Sequence, residues 1–254
     1  PGLAGLWFRR QLAQWWAGSP GLIIARDKRR LLAAVDRHGK RSHRIILETH
    51  GLESLLKPEQ ADCRTVESRC LTVADALVAN CGGTLHAWQD AHTVEQPAWV
   101  SHNATHLSPI SDTDPREFAL VLGSMRENKG VTALLTAARD CPFAISWVGG
   151  TSAERRAHSR IDGLSLLPPI PHGAIHNTLA SARVLIAPLG DNIFSRQLTS
   201  PLKLWDYLAT DKPIVTARTP ATEEIATYTD TAFHFYQPDN IPSIHAALTR
   251  AWHA

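Results

Sequence analysis

FALVLGSMRENKGVTALLTAARD, residues 118 to 140, decides the fold. Its first residues, FALVLGS (118–124), form a short apolar run that reads as a strand closed by Gly123. The spacing of Val131, Leu134 and Leu135 then predicts a helix over 128–140. Strand, basic turn and helix in immediate succession are the unit from which parallel sheets are built.

The same alternation runs outward in both directions. Downstream, the strands are FAISWVGG (143–150), LSLLPPI (164–170), RVLIAPLG (183–190), PIVTAR (213–218) and TAFHFY (231–236). Helices are expected between them at SAERRAHSR, GAIHNTLASA, SPLKLWDYLAT and PATEEIATY, with NIPSIHAALTRAWHA last. Upstream, GLIIARD (21–27), RIILETH (44–50), ALVAN (76–80) and AWVSHN (98–103) are strands. KRRLLAAVDRHG, PEQADCRTVESRCLT and GGTLHAWQDAH are the intervening helices, the first of them stopped by Gly39. The polar, proline-bearing ATHLSPISDTDP (104–115) is the best linker in the chain.

The pattern therefore predicts an α/β protein of two Rossmann-like domains, 1–107 and 108–254, with parallel sheets facing across a cleft. The first domain shows about four strands and is expected to be reduced or to lack its first strands. A chain of 254 residues that is 44% hydrophobic can bury such cores.

Composition narrows the partners. Lys and Arg total 26 against 24 Asp and Glu, a formal net charge of +2, which argues against a nucleic-acid polyanion. Cys63, Cys70, Cys81 and Cys141 form no C-x-x-C pair, so packed, reduced thiols in a cytoplasmic protein are expected. No apolar run reaches the roughly 18 residues that span a bilayer. The opening LAGLWFRRQLAQWWAG carries Trp7, Phe8, Trp15 and Trp16 beside Arg9 and Arg10. Two readings of it stay open: packing on the N-terminal sheet, or peripheral contact at the inner face of a membrane that would reach a lipid-linked acceptor.

Two βα loops carry the chemistry. In GSMRENKG (123–130), Gly123 and Ser124 allow close backbone approach, and Arg126 and Lys129 bring cations beside a helix start. In SPLKLWDY (200–207), Ser200 stands at the expected cap, the amides of Leu202 and Lys203 are free of intrahelical partners, and Lys203 itself lies in the first turn. A cation there opposes the helix dipole by about 0.3–1 kcal/mol, which charge-assisted bonds of about 1.5–3 kcal/mol each to a diphosphate would outweigh. Asp206, one turn on, suits ribose hydroxyls.

Several signals are set aside. Asp112 and Asp114 form a D-x-D outside any strand end, and His102/His106 and His172/His176 lack an H-E-x-x-H context, so no metal is expected.

VLGSMRENKGVTALLTAA and TSPLKLWDYLATDKPIVTARTPATEEI, with ILETHGLES, ADALVANCGGT and VSHNATH, resemble the family 4 glycosyltransferases, which retain anomeric configuration and have two Rossmann domains (the GT-B architecture). The likeness extends over most of residues 21 to 236. It implies a nucleoside diphosphate sugar donor held by Gly123, Ser124, Arg126, Lys129, Ser200, Leu202 and Lys203, with Asp206 on the ribose and no metal or other cofactor. It implies His50 near the donor sugar, with His50, Arg126 and Lys129 catalytic, and Asn103 as a turn residue at the domain junction. The acceptor would be a polysaccharide, a lipid-linked glycan or a small molecule. Leu198 departs from the family by occupying the position of its usual first glutamate. The alternatives are a nucleotide-sugar-binding module without activity and a sugar-nucleotide epimerase of the same fold.

Overall fold

The computed structural model describes residues 14–18, 20–40, 42–109, 117–159 and 161–254. Its contacts divide the chain into two units, Pro1–His102 and Asn103–Ala254. The division falls at His102/Asn103 rather than between 107 and 108 because the start of the expected linker is tied to the second unit. Thr105 Oγ1 donates to Asp206 Oδ1 at 2.9 Å, and His176 Nε2 donates to the Ser108 carbonyl at 3.0 Å.

In the first unit β1 (Leu22–Ala25), α1 (Lys28–His38), β2 (Arg44–Thr49), α2 (Glu53–Leu56), α3 (Cys63–Val73), β3 (Ala76–Ala79), α4 (Gly82–Ala91) and β4 (Ala98–Val100) follow in order. The strands form one parallel sheet in the order β1-β2-β3-β4, with Ile24 opposite Ile46 and Leu47 opposite Leu77. Ile45, Leu47 and Leu77 of the sheet are fully buried, as is Trp88 of α4. Asp27 caps α1 by accepting the Arg30 N–H at 3.0 Å, and Gly39 closes it at φ 72°. The single turn α2 has no signal in the sequence pattern.

The opening Trp-rich stretch lies largely outside the described residues, including Trp7, Phe8, Arg9 and Arg10. Within the described part Trp16 is buried, and its indole N–H donates to the Gly39 carbonyl at 2.8 Å. Trp15 is 49% exposed and stacks on His43, so of these two only Trp15 is left for a surface contact.

The second unit runs β5 (Phe118–Leu122), α5 (Val131–Ala138), β6 (Ala144–Val148), α6 (Ser152–Ala157), β7 (Leu164–Leu167), α7 (Ile175–Ala180), β8 (Val184–Ala187), α8 (Leu202–Tyr207), β9 (Ile214–Ala217), α9 (Pro220–Ala226), β10 (Phe233–Tyr236) and α10 (Ile241–Trp252). Its six parallel strands stand in the order β10-β9-β8-β5-β6-β7. Every residue of β8 and β9 is buried, as is β5 after its first residue, as continuous apolar runs covered on both faces require. The edge strand β7 alternates instead. The helix expected from residue 128 begins at Val131, because Glu127–Lys129 make a 3₁₀ turn and Gly130 takes a left-handed φ of 68°.

The chain leaves β5 toward β6 and β7 on one side and resumes at β8 on the other. That reversal creates a crevice outside the carboxyl ends of β5 and β8, the position where open α/β sheets take ligands.

Candidate functional site

Gly123 follows β5 directly and has φ 132°, a value open to glycine and rarely to other residues. Its N–H donates to the Val148 carbonyl at 2.9 Å, and its own carbonyl accepts the Trp147 indole N–H at 3.0 Å. Gly149 closes on it from the end of β6. A Cβ at Gly149 would sit 2.2 Å from the Gly123 oxygen, so these two βα loops meet backbone to backbone. The Gly149 N–H in turn donates to Leu167 at the end of β7 at 3.0 Å, which fixes three strand ends together.

Against this floor lies a cavity of about 370 Å³. Gly123, Ser124, Arg126 and Lys203 line one part of it, and Leu122, Val148, Ile170 and Ile175 give another part an apolar wall. The Lys203 stem passes beside Gly123, its Cε 3.8 Å from where a Cβ on that glycine would stand. Lys129 completes a cationic cluster: burial first, then the charges of Arg126 and Lys203, hold its ammonium below the ordinary lysine value. Three cations that disfavour one another within one βα crevice suit an anion of more than one charge.

The α8 helix carrying Lys203 is fixed from several sides. Pro201, not Ser200, occupies its cap position. Ser200, 3% exposed, accepts the Asn103 backbone N–H at 3.3 Å and the Trp205 indole N–H at 2.9 Å on its hydroxyl. The Asn103 side-chain amide also donates to the Ser200 carbonyl. Leu202 is exposed at the helix start. Tyr207, fully buried, accepts the Leu122 N–H at 3.1 Å and donates to the Ile186 carbonyl at 3.2 Å, tying α8 to β5 and β8 on either side of the strand-order reversal. Asp206 is half-buried, one carboxylate oxygen held by Thr105.

The structure thus brings together Gly123, Ser124, Arg126, Lys129 and Lys203, with Ser200, Leu202 and Asp206 on the adjoining segment. His50 belongs to the first unit, at the end of β2, where its Nε2 lies 2.6 Å from Glu48 Oε1. Leu198 is fully buried, in a π-helical turn over Phe194–Leu198 that the sequence pattern does not signal. The His106 and His172 Nε2 atoms are 2.8 Å apart. Asp112 and Asp114 lie outside the described residues. Among the described residues no group of three or more His, Cys, Asp or Glu is placed to hold a metal ion. All four cysteines are free thiols, three of them buried.

Sequence reasoning missed Gly149, Gly150 and the apolar wall at Ile170 and Ile175. The paired glycines after an apolar strand were the available signal, since they mark a close backbone approach. Nothing local marks Tyr207 as a tie.

No family model matches the chain, and no curated protein does. Solved structures do match. Sucrose-phosphate synthase from Thermosynechococcus elongatus superposes at a TM-score of 0.71 with 16% identity, over 91% of this chain and 65% of that one. Anabaena HepE, solved with UDP and glucose, gives 0.69 and 14% over 98% of this chain and 73% of HepE. The lipopolysaccharide outer core galactosyltransferase WaaB gives 0.63 and 17% over 99% and 72%. The chain therefore spans just under two thirds of the synthase and about three quarters of the other two. The likeness shows the fold, the GT-B architecture of two Rossmann-like units with parallel sheets.

Proposed function

We propose that the chain is a glycosyltransferase that takes a sugar from a nucleoside diphosphate sugar, with its donor site at the carboxyl ends of β5, β6 and β7. The observation that carries this reading is the convergence of Arg126, Lys129 and Lys203 beside the cavity that Gly123 and Gly149 close. A diphosphate offers these cations charge-assisted hydrogen bonds, and the apolar wall of Leu122, Val148, Ile170 and Ile175 suits a base. Ser124 and the amides of Leu202 and Lys203 would add donors, and Asp206, steadied by Thr105, would take ribose hydroxyls. The UDP held by HepE, a protein of the same fold, supports a uridine donor as the first to try.

In this reading the catalytic contribution of Arg126, Lys129 and Lys203 is electrostatic. As the glycosidic bond to phosphate breaks, negative charge grows on the departing diphosphate, and cations fixed beforehand stabilise it without needing to reorganise. His50, held by Glu48, is proposed to face the donor sugar, and transfer is proposed to retain the anomeric configuration, as the resemblance to family 4 implies. No metal enters the reading. The acceptor is proposed to be a polysaccharide, a lipid-linked glycan or a small molecule, with the exposed Trp15 as the residue for peripheral membrane contact.

Isothermal titration with UDP and GDP tests the site. Binding of at least one is expected, weakened by Arg126→Ala and by Lys203→Ala; binding of neither, or binding indifferent to both substitutions, overturns it. A second reading, donor binding without turnover, draws on the buried Leu198 at the position where the family has a glutamate. Donor bound yet never transferred or slowly hydrolysed would favour that module.

A further inference from the structure

The first unit holds a second cavity, of about 430 Å³, lined by Arg64, Ser68, Ala91, His92, Glu95 and Gln96 among others. It involves none of the cationic residues of the second unit. At its wall three side chains form a chain of hydrogen bonds. Ser68 Oγ lies 3.2 Å from His92 Nδ1, and His92 Nε2 lies 3.2 Å from Glu67 Oε2. The other Glu67 oxygen accepts the Ser54 N–H at 3.1 Å.

Burial is graded along this chain. Glu67 is fully buried and the His92 side chain 4% exposed, while Ser68 is exposed. A carboxylate removed from water this completely requires a partner, and the imidazole is the side chain that supplies it. His92 also packs against the Trp88 ring at 5.4 Å, so its plane is set by neighbours on both sides. A nucleophile within reach of a base, with the base oriented by a third group, is the arrangement that activates a hydroxyl.

Ser68 also donates to the Arg64 carbonyl at 3.0 Å, the ordinary back-bond of a serine inside a helix. That bond uses the hydroxyl but explains neither the buried carboxylate behind His92 nor the cavity in front of Ser68. Rotation about one bond turns the same proton from Arg64 to His92 Nδ1.

We propose that Ser68, His92 and Glu67 form an acyl-transfer site that hydrolyses short-chain carboxylic esters. Ser68 Oγ forms a bond to the ester carbonyl carbon as its proton passes to His92 Nδ1, and the His92 Nε2–H bond to Glu67 holds the resulting imidazolium. The tetrahedral oxyanion forms on the cavity side, where Arg64 supplies positive charge; its Nη2 is anchored on the Ala91 carbonyl at 2.9 Å. The carbon–oxygen bond to the alcohol then breaks, and the alcohol leaves with the proton from His92. Water attacks the acyl-serine, gives a proton to His92, and the acid departs as that proton returns to Ser68 Oγ. Ester and water become acid and alcohol, with no oxidant or reductant.

The test uses the full chain with a fluorophosphonate probe, read by intact mass and peptide mapping, and with p-nitrophenyl acetate as substrate. One adduct is expected, on Ser68, and Ser68→Ala abolishes both adduct and turnover. Removing only an exposed hydroxyl, that variant keeps its melting temperature. His92→Gln is expected to slow labelling by about 10²- to 10⁴-fold, the usual range for a general base. In the unaltered chain the single Ser68 adduct is itself a readout that does not depend on any variant folding. Absence of an adduct on Ser68, or a labelling rate unchanged by His92→Gln, overturns the proposal.

Discussion

Lys203→Met separates a binding role from a structural one, because the two predict changes of opposite sign. The substitution keeps the stem that passes Gly123 and removes the charge. Without ligand that charge is unfavourable twice over. It stands in the first turn of α8, against the helix dipole, at about 0.3–1 kcal/mol, and it repels the Lys129 ammonium, whose pKa it helps to depress. The unliganded variant is therefore expected to be as stable as the parent or up to about 1 kcal/mol more so. For a unit of this size that is a rise of up to about 2–4 °C in melting temperature. With UDP the order reverses. A lost charge-assisted hydrogen bond of about 1.5–3 kcal/mol weakens binding by roughly tenfold to somewhat over a hundredfold. Because bound ligand stabilises in proportion to the logarithm of its saturation, the parent overtakes the variant as UDP is added. Thermal scans across a UDP titration, with calorimetric dissociation constants beside them, read both signs. A variant that melts lower without ligand and binds UDP as tightly as the parent would refute the reasoning, since Lys203 would then be a structural residue.

Gly149→Ala places a methyl group 2.2 Å from the Gly123 oxygen at a φ of 135°. Backbone strain and overpacking of about 1–3 kcal/mol each predict a loss of about 2–6 kcal/mol in chemical denaturation, and a loss under 1 kcal/mol would contradict the backbone contact. Tyr207→Phe leaves the buried Leu122 N–H and Ile186 carbonyl without their hydroxyl partner. It is expected to lower stability by about 1–3 kcal/mol and to weaken UDP through α8, so unchanged values of both would count against the tie. His234 is held below its ordinary pKa of 6.5 by burial first and by Arg250 second. The folded chain therefore resists a proton that the unfolded chain accepts, and stability falls as pH drops below about 6.5 toward the folded value. His234→Gln should flatten the dependence of stability on pH in that window by at most about 1.4 kcal/mol per pH unit; identical slopes would reject it.

How far the sequence carries depends on the range of the interaction. The strands β5, β8 and β9 were legible because burial on both faces writes itself into consecutive apolar residues. Helix stops such as Gly39 were legible because a glycine's conformational freedom is local. The start of α5 was misplaced because a 3₁₀ turn and a left-handed Gly130 satisfy the same apolar spacing. At the site, Arg126, Lys129 and Lys203 could be read from their positions after apolar strands and at helix starts. The Ser200 hydroxyl could not be placed, since its partners Asn103 and Trp205 lie on different segments. Tyr207 was illegible for the same reason, since the groups it meets on β5 and β8 are far away along the chain, and the Gly149–Gly150 pair signals a close approach without naming Gly123 as its partner.

These long-range ties bear on the electrostatics of the site. Left to itself, a lysine beside two other cations and a helix N-terminus would swing into water, and its helix would shift to allow it. Here α8 has little freedom to do so. Tyr207 fixes it to β5 and β8, Trp205 and Asn103 hold Ser200 at its entry, and Thr105 holds Asp206 on its far turn. The floor in front of Lys203 is equally fixed, since Gly123 and Gly149 are in backbone contact. These contacts therefore keep Lys203 within reach of the Lys129 ammonium despite their repulsion. That is the arrangement in which a multiply charged anion gains most on binding, because the opposing charges are already in position and need no reorganisation when charge develops. Tyr207 and Gly149 thereby belong to the site although neither is asked to touch the ligand's phosphates.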